Sequence, residues 1–258
     1  MWGIIPAAGI GSRIQPLAFS KELLPVGSRR DGDLERPRAV SEYLIERMIV
    51  AGTDKLCFVI SPGKSDIVEY YGGQIGHTQL CYVIQQRPAG LCDSIFRATP
   101  LIPHNEDVLV GLPDTIWFPV QGLQALPAGT LAFLLFPVDH PELFDAVLTD
   151  SNGRITEIQV KRQNPSTRWI WGAFKTNGAV LSELYHLWCR RDRADLYIGD
   201  LVNAYLSEHG AAYGIPAGTA YVDVGTLHGY REAMRLLNKE SPLNEPHTSA
   251  SGTRPWKA

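Results

Sequence analysis

Two glycines, an arginine and a lysine near the start of the chain form its most chemically suggestive group. From Ile4 the sequence runs as an apolar strand and then breaks at Ala7-Ala8-Gly9-Ile10-Gly11-Ser12-Arg13. Lys21 follows eight positions after the arginine, at the head of Lys-Glu-Leu-Leu-Pro. Gly9 and Gly11 let the backbone approach an anion closely and adopt positive φ, so that successive N–H groups converge on phosphate oxygens. Arg13 and Lys21 bring positive charge to the same place, where a triphosphate needs neutralising before it can be attacked. Two better-known glycine motifs do not fit. The dinucleotide fingerprint would need a glycine where Ile14 stands, and the P-loop would need Lys-Ser/Thr after Gly11 in place of Ser12-Arg13. The glycines alone suit an ordinary strand-to-helix turn; Arg13, Lys21 and the Glu-Leu-Leu-Pro that follows favour a phosphate loop.

Three further positions carry groups suited to a nucleotide site. Asp114 closes Val-Leu-Val-Gly-Leu-Pro-Asp, just past an apolar strand, and ligands of open α/β sheets bind beyond the carboxyl ends of strands. As a residue after proline it also suits a plain turn. Asp223, in Tyr-Val-Asp-Val-Gly-Thr-Leu-His-Gly-Tyr, precedes a helical pattern and could act as a cap or turn residue, although Thr226 could cap as well. Gln85 ends a strand and offers a donor and an acceptor together, which matches the imide edge of uracil or thymine. Gln86 is its structural competitor.

The N-terminal segment resembles the signature of the sugar-1-phosphate nucleotidyltransferases, roughly Gly-x-Gly-[Ser/Thr]-Arg-(several)-Lys-x-Leu-Pro. The Pro-Ala-Ala-Gly start and Lys-Glu-Leu-Leu-Pro end are closest to the bacterial UTP–glucose-1-phosphate uridylyltransferases, with the glucose-1-phosphate thymidylyltransferases nearly as similar. In both groups the arginine and lysine usually stand two positions further apart; the shorter spacing is seen in the N-acetylglucosamine-1-phosphate uridylyltransferases. The resemblance implies a three-layer, Rossmann-like α/β fold with a mainly parallel mixed central sheet. It also implies transfer of a nucleoside monophosphate from UTP or dTTP to a sugar-1-phosphate, with release of pyrophosphate. Arg13 and Lys21 would then be catalytic. Ala8, Gly9, Gly11, Ser12, Gln85 and Gly90 would bind the nucleotide, the last two matching a Gln-x-x-x-x-Gly-Leu pattern. Asp114 and Asp223 would hold Mg2+, a hard cation that commonly takes only one or two carboxylates. Lys161 would grip the acceptor phosphate, with Gly172, beside Trp169 and Trp171, lining the sugar side. Two departures stand out: Pro113 replaces a glycine before Asp114, and Val160 replaces a glutamate that addresses sugar hydroxyls. The second implies a sugar other than plain glucose. Two rival readings remain: a non-catalytic nucleotide-sugar sensor, and a metal-dependent glycosyltransferase, although Asp114-Thr115-Ile116 lacks the second acid of an Asp-x-Asp motif.

These groups need an α/β scaffold, and the pattern supplies one. Gly3–Pro6, Lys55–Ser61, Gln79–Gln85 and Asp107–Leu112 read as strands apolar on both faces, as in a buried parallel sheet. Val40, Leu44, Met48 and Ala51 mark an amphipathic helix that stops at Gly52, and shorter helices fall at Asp66–Tyr71 and Leu91–Ala98. The second half gives strands at Leu131–Pro137, Ala146–Asp150, Ile155–Lys161 and Trp169–Lys175. Helices are expected at Ala179–Arg190, Gly199–His209 and Leu227–Asn238. Arg29–Arg38, with four arginines and three acids, reads as a solvated loop, or alternatively as a lid or subunit contact beside the site.

The 258 residues are 45% hydrophobic, enough for one large domain, taken as residues 1–239; residues 240–258 read as a disordered tail. A formal charge of −3, from 24 basic and 27 acidic residues, gives no support to nucleic-acid binding, and no apolar run approaches a membrane span. The N-terminus enters a strand pattern directly, with no leader in view, and Cys57, Cys81, Cys92 and Cys189 form no Cys-x-x-Cys pair. A cytoplasmic protein with reduced thiols and no structural metal is therefore expected, with a homo-oligomer left open. Its partners would be a nucleoside triphosphate and a sugar-1-phosphate.

Overall fold

A computed structural model describes residues 1–240. In chain order the elements are β1 (Trp2–Pro6), β2 (Pro25–Asp31), β3 (Leu34–Ala39), α1 (Val40–Val50), β4 (Lys55–Ile60), α2 (Ser65–Tyr71), β5 (Gln74–Ile75), β6 (Thr78–Ile84), α3 (Gly90–Arg97), β7 (Asp107–Gly111) and β8 (Thr115–Phe118). There follow β9 (Leu131–Pro137), β10 (Asp145–Thr149), β11 (Ile155–Val160), β12 (Trp169–Asn177), α4 (Gly178–Arg190), α5 (Ile198–Ser207), β13 (Ala212–Ile215), β14 (Ala220–Asp223) and α6 (Leu227–Glu240). The central sheet runs β11-β10-β12-β7-β1-β4-β6-β5, with β9 and β13 branching from β12. Its heart, β7-β1-β4-β6, is parallel, as the doubly apolar strands require. From β12 onward most pairings are antiparallel.

Alternation along the buried strands builds two cores at once, because successive side chains leave opposite faces of a strand. Ile4, Cys57 and Val59 join α3, α4 and α5 on one face, through Ile95, Leu184 and Leu201 among others. Ile5, Leu56, Phe58 and Ile60 join α1 and α2 on the other, through Leu44, Met48 and Ile67. The three-layer α/β architecture expected from the sequence is the one observed.

A third, smaller core shapes the site. Val26, Val40, Tyr43, Ile116, Val224 and Ala233 bring β2, α1, α6 and the two-stranded β8–β14 ribbon together. Buried Arg47 in α1 clamps the ribbon, donating from Nε and Nη2 to the Trp117 carbonyl at 2.9 and 2.5 Å and from Nη1 to the Tyr43 carbonyl at 2.7 Å. Burial lowers its pKa to about 10, against an opposing pull from Glu46.

The segment Arg29–Arg38 differs from the solvated loop read in the sequence. It is the β2–β3 hairpin, exposed over most of its length, and two of its arginines reach acids of α1. Arg29 Nε lies 3.0 Å from the buried Glu42 carboxylate, and Arg38 reaches Glu46 at 2.7 Å while its guanidinium sits 3.8 Å from the Tyr43 ring centroid. The tail read from residue 240 onward falls outside the described residues beyond Glu240. Among the described residues, no helix is long and apolar enough to cross a membrane.

Candidate active site

The glycine turn leaves the end of β1, where Ala7 N still bonds to Val59 O at 2.8 Å before the chain lifts away from the sheet. Gly9 is open, with nothing within 4 Å of where a Cβ would stand. Gly11 adopts φ +71°, and the aliphatic stem of Lys21 crosses its open side, with Cδ only 2.7 Å from the Cβ position. The second glycine is thus required twice, by its left-handed backbone and by the lysine lying against it. Ala8 is buried beneath the turn, whereas Ser12 and Arg13 are exposed on it.

Lys21 is fastened on both sides by contacts that no local motif announces. Ser20 donates from its N–H and its hydroxyl to the Asp66 carboxylate, 2.6 Å each. Glu22, fully buried, accepts from Lys64 Nζ at 2.8 and 2.7 Å, and the same ammonium donates to the Ala7 carbonyl at 2.6 Å. Burial dominates both partners, raising the Glu22 carboxyl and lowering the Lys64 ammonium, although each draws the other the opposite way. This pair ties the floor of the glycine turn to the segment that carries Lys21.

Asp114 and Asp223 meet opposite that segment. β8 begins at Thr115, whose register partner in β14 is Asp223, and Val224 N donates to Asp114 O at 2.8 Å. The ribbon therefore joins residues more than a hundred positions apart. Gly225 N fixes Asp223 by donating to its Oδ1 at 2.7 Å. A Cβ at Gly225 would stand 2.8 Å from Asp223 Oδ1, 3.1 Å from Arg13 Nη2 and 3.3 Å from Asp114 Oδ2, so three charged groups surround one point that only a glycine leaves free. Lys21 forms an ion pair with Asp114, and Arg13 Nη2 lies 3.1 Å from Asp223 Oδ2. Burial alone would lower the Lys21 pKa, but Asp114, Glu22 and Asp223 outweigh it and hold the ammonium above its usual range. Burial would likewise raise the Asp114 carboxyl, yet Lys21 in particular, with help from Arg13, keeps it below.

The cluster holds two carboxylates and two cations. Its anionic donors are hard oxygens with no thiolate or imidazole among them, a set that fits Mg2+ rather than a softer metal. Among the described residues no group of three or more His, Cys, Asp or Glu side chains could hold a metal, and a two-carboxylate Mg2+ site does not need one. Pro113 is buried and does not turn the Asp114 carboxylate away. Beside Arg13 and Asp223 a cavity of about 730 Å³ opens between Phe144, Tyr221, Arg168 and the first turns of α6. It adjoins the ion cluster without enclosing Lys21 or Asp114.

The remaining sequence-derived positions fall around this centre with less uniform roles. Gln85 is buried, and its amide donates to Asp93 at 2.6 Å and, more weakly, to Gly90 O at 3.4 Å. Half of the donor–acceptor pair read for a nucleobase is engaged within the protein. Gly90, at φ +87°, lies against the Leu196 backbone, which also caps α3 through Leu91 N at 2.9 Å. Lys161 follows β11 with φ +45° and donates to Leu143 O at 2.8 Å. It connects to the cluster through Phe144, 5.8 Å from its ammonium, and then Tyr221 on β14, whose ring is 5.6 Å from that of Phe144. At Gly172 a Cβ would meet the Tyr221 ring at 2.5 Å and the Phe136 ring at 2.7 Å. This glycine therefore admits the aromatic wall, a packing demand that the sequence reading did not anticipate.

With this geometry in place, the comparison with known proteins is direct. The family described as Nucleotidyl transferase matches residues 2–240. The chain belongs to that family. Its relatives include a glucose-1-phosphate thymidylyltransferase of Neisseria meningitidis, 27% identical over 270 residues, which cover all of this chain and 89% of the relative. The UTP–glucose-1-phosphate uridylyltransferase AglF of Haloferax volcanii is 23% identical, with 93% of this chain and 98% of AglF covered. The UTP-bound UGPase of Acinetobacter baumannii shares the fold at a TM-score of 0.74 and 18% identity, with 94% of each chain covered. The resemblance first carried by residues 4–25 thus extends over the whole described chain.

Proposed function

We propose that the protein is a Mg2+-dependent cytoplasmic enzyme that transfers a nucleoside monophosphate from UTP or dTTP to a sugar-1-phosphate. The observation that carries this reading is the meeting of Asp114, Asp223 and Arg13 around the point left open by Gly225, with Lys21 paired to Asp114 beside it. A non-catalytic nucleotide-sugar sensor would have no need of both cations, and a metal-dependent glycosyltransferase would carry a second acid beside Asp114.

In this reaction an acceptor phosphate oxygen forms a bond to the α-phosphorus, and the bond from that phosphorus to the α–β bridging oxygen breaks. Pyrophosphate leaves with the electron pair. The attacking oxygen is already an anion, so no strong base is required; the demand is for alignment and positive charge. Lys21, kept protonated by its acidic neighbours, faces the phosphorus under attack. Arg13, exposed on the turn, neutralises the departing pyrophosphate. The N–H groups of Gly9, Gly11 and Ser12 cradle the triphosphate over Ala8, while Gln85 and Gly90 border the base. Lys161 holds the acceptor phosphate, and Gly172 shapes the sugar side through the Tyr221 ring. Asp114 and Asp223 would hold Mg2+, which when bound neutralises and orients the triphosphate oxygens. Two cations released to phosphate and two carboxylates released to a metal form a balanced exchange, which lets a highly charged ligand enter a half-buried cluster.

The test is pyrophosphate release from UTP, dTTP, ATP and GTP, each with and without glucose-1-phosphate and related sugar-1-phosphates, in Mg2+. The reading expects release only with a pyrimidine triphosphate and an acceptor together. Hydrolysis without an acceptor, or no release from any pairing, refutes it.

A further inference from the structure

Two cysteines far from the ion cluster in sequence and role stand side by side in the central sheet. β4 and β6 run parallel, and Cys57 is the register partner of Cys81. Register partners on neighbouring strands present their side chains on one face. Cys57 lies inside the core shared with α3, and Cys81 packs against that same core. Neighbouring strands lie about 4.8 Å apart, within the about 4.4–6.8 Å between Cα atoms that a disulfide spans. Both residues are free thiols in the structure.

Their surroundings divide the labour between them. α3 packs on β1 and β4, and Cys57 beneath it is fully buried. β6 lies further out, where the short β5 pairs only with Thr78 and Gln79, and Cys81 stays partly exposed. Two residues along the same face, Val83 lines a cavity of about 350 Å³ with Phe96, Pro100, Tyr185 and Trp188. A small reagent therefore meets Cys81 first. The Cys57 thiol donates a hydrogen bond to Cys81, which together with burial holds Cys57 protonated. The same bond lowers the Cys81 thiol to about 7, against the upward push of its partial burial. One sulfur is reachable and readily ionised, and the other is sheltered beside it. Attacking and resolving thiols are disposed in this way.

We infer that Cys57 and Cys81 form a modification site that reacts with a hydroperoxide and closes to a reversible disulfide. The Cys81 thiolate attacks the terminal peroxide oxygen and the O–O bond breaks. The departing oxygen keeps the electron pair and takes a proton, leaving as water or an alcohol. The Cys57 sulfur then attacks the Cys81 sulfenic acid: the S–S bond forms, the S–O bond breaks, and hydroxide leaves as water with the Cys57 proton. Two thiols give up two electrons, and the peroxide bond receives them. A partly exposed bridge at the outer side of the sheet is reopened by a dithiol reductant. The site does not depend on the transferase reading, and the failure of either leaves the other standing.

The experiment treats the reduced full chain with a slight excess of hydrogen peroxide, blocks remaining thiols with N-ethylmaleimide under denaturing conditions, and maps the peptides by mass spectrometry. Two of the four thiols should be lost, in a linked Cys57–Cys81 peptide, and both should return after dithiothreitol. Cys57→Ala should stop at a Cys81 sulfenic acid that dimedone traps, with no linked peptide. Cys81→Ser should slow thiol loss on the order of tenfold, because the remaining partner is buried and protonated. Serine at the partly exposed position keeps the fold, which circular dichroism checks, and the wild-type map stands without either variant. A bridge through Cys92 or Cys189 would overturn the inference. So would a wild-type protein that loses no thiols, or one whose Cys81 is oxidised without linking to Cys57.

Discussion

Gly11→Ala separates the positioning of Lys21 from the general health of the fold. An alanine there must hold φ +71°, a left-handed conformation costing an L-residue about 1–2 kcal/mol. Its methyl would also start 2.7 Å from Lys21 Cδ, inside the 3.4 Å at which ordinary van der Waals contact begins. The lysine stem is the softer partner, so it yields and takes the ammonium away from Asp114. For a chain of this size the backbone cost alone lowers Tm by roughly 2–8 °C. A displacement approaching an ångström at a reacting group costs on the order of 100-fold in kcat. Gly9→Ala is the control, because that Cβ would meet nothing within 4 Å and the backbone there is not left-handed. Its Tm should stay at the wild-type value, and any loss should be in triphosphate KM, through the N–H cradle. The assays are thermal unfolding by circular dichroism and steady-state pyrophosphate release. A Gly11→Ala protein with wild-type kcat and Tm would refute the reasoning, as would equal unfolding shifts in the two variants.

Three other perturbations have defined outcomes. Lys161→Met should raise the KM for the sugar phosphate by roughly 10- to 150-fold, the loss of one charge-assisted hydrogen bond, and leave the triphosphate KM unaltered; initial rates with each substrate varied decide this. Lys64→Met strands Glu22 in the core and should destabilise the fold by about 3–5 kcal/mol in urea titrations, with part of the loss recovered when Glu22→Gln is added. Chelation by EDTA should abolish pyrophosphate release and added Mg2+ restore it, without a change in circular dichroism, since no core contact among the described residues runs through the carboxylate pair.

What the sequence revealed was chemistry compressed into short segments. The turn from Ala7 to Lys21 could be read because its glycines and cations lie close together, Asp114 because it follows an apolar strand, and Asp223 because it stands in a motif-like setting before a helical pattern. The parallel heart of the sheet was legible from strands apolar on both faces. Supports that act across distance left no such trace. Lys64 meets Glu22 from 42 positions away, Asp66 meets Ser20 from 46, and Arg47 meets Trp117 from 70, and nothing in any one segment marks its partner. The β2–β3 hairpin was read as a loop because its charges hid the strand alternation, yet Arg29 and Arg38 are the side chains that bind it to α1. Gln85 was read as a free amide, whereas Asp93, one helical turn into α3, takes its donor. The ribbon strands β8 and β14, four residues each, were too short to show a period.

The central claim is that Asp114 and Asp223 hold one divalent ion between the cations of the glycine turn. Titrating the protein with Mn2+ under electron paramagnetic resonance, with a non-hydrolysable UTP analogue present, measures this in wild type, Asp114→Asn and Asp223→Asn. One bound Mn2+ per chain in wild type, weakened at least tenfold in each variant while the fold is retained, is the expected result. Equal Mn2+ affinity in all three proteins would contradict the account.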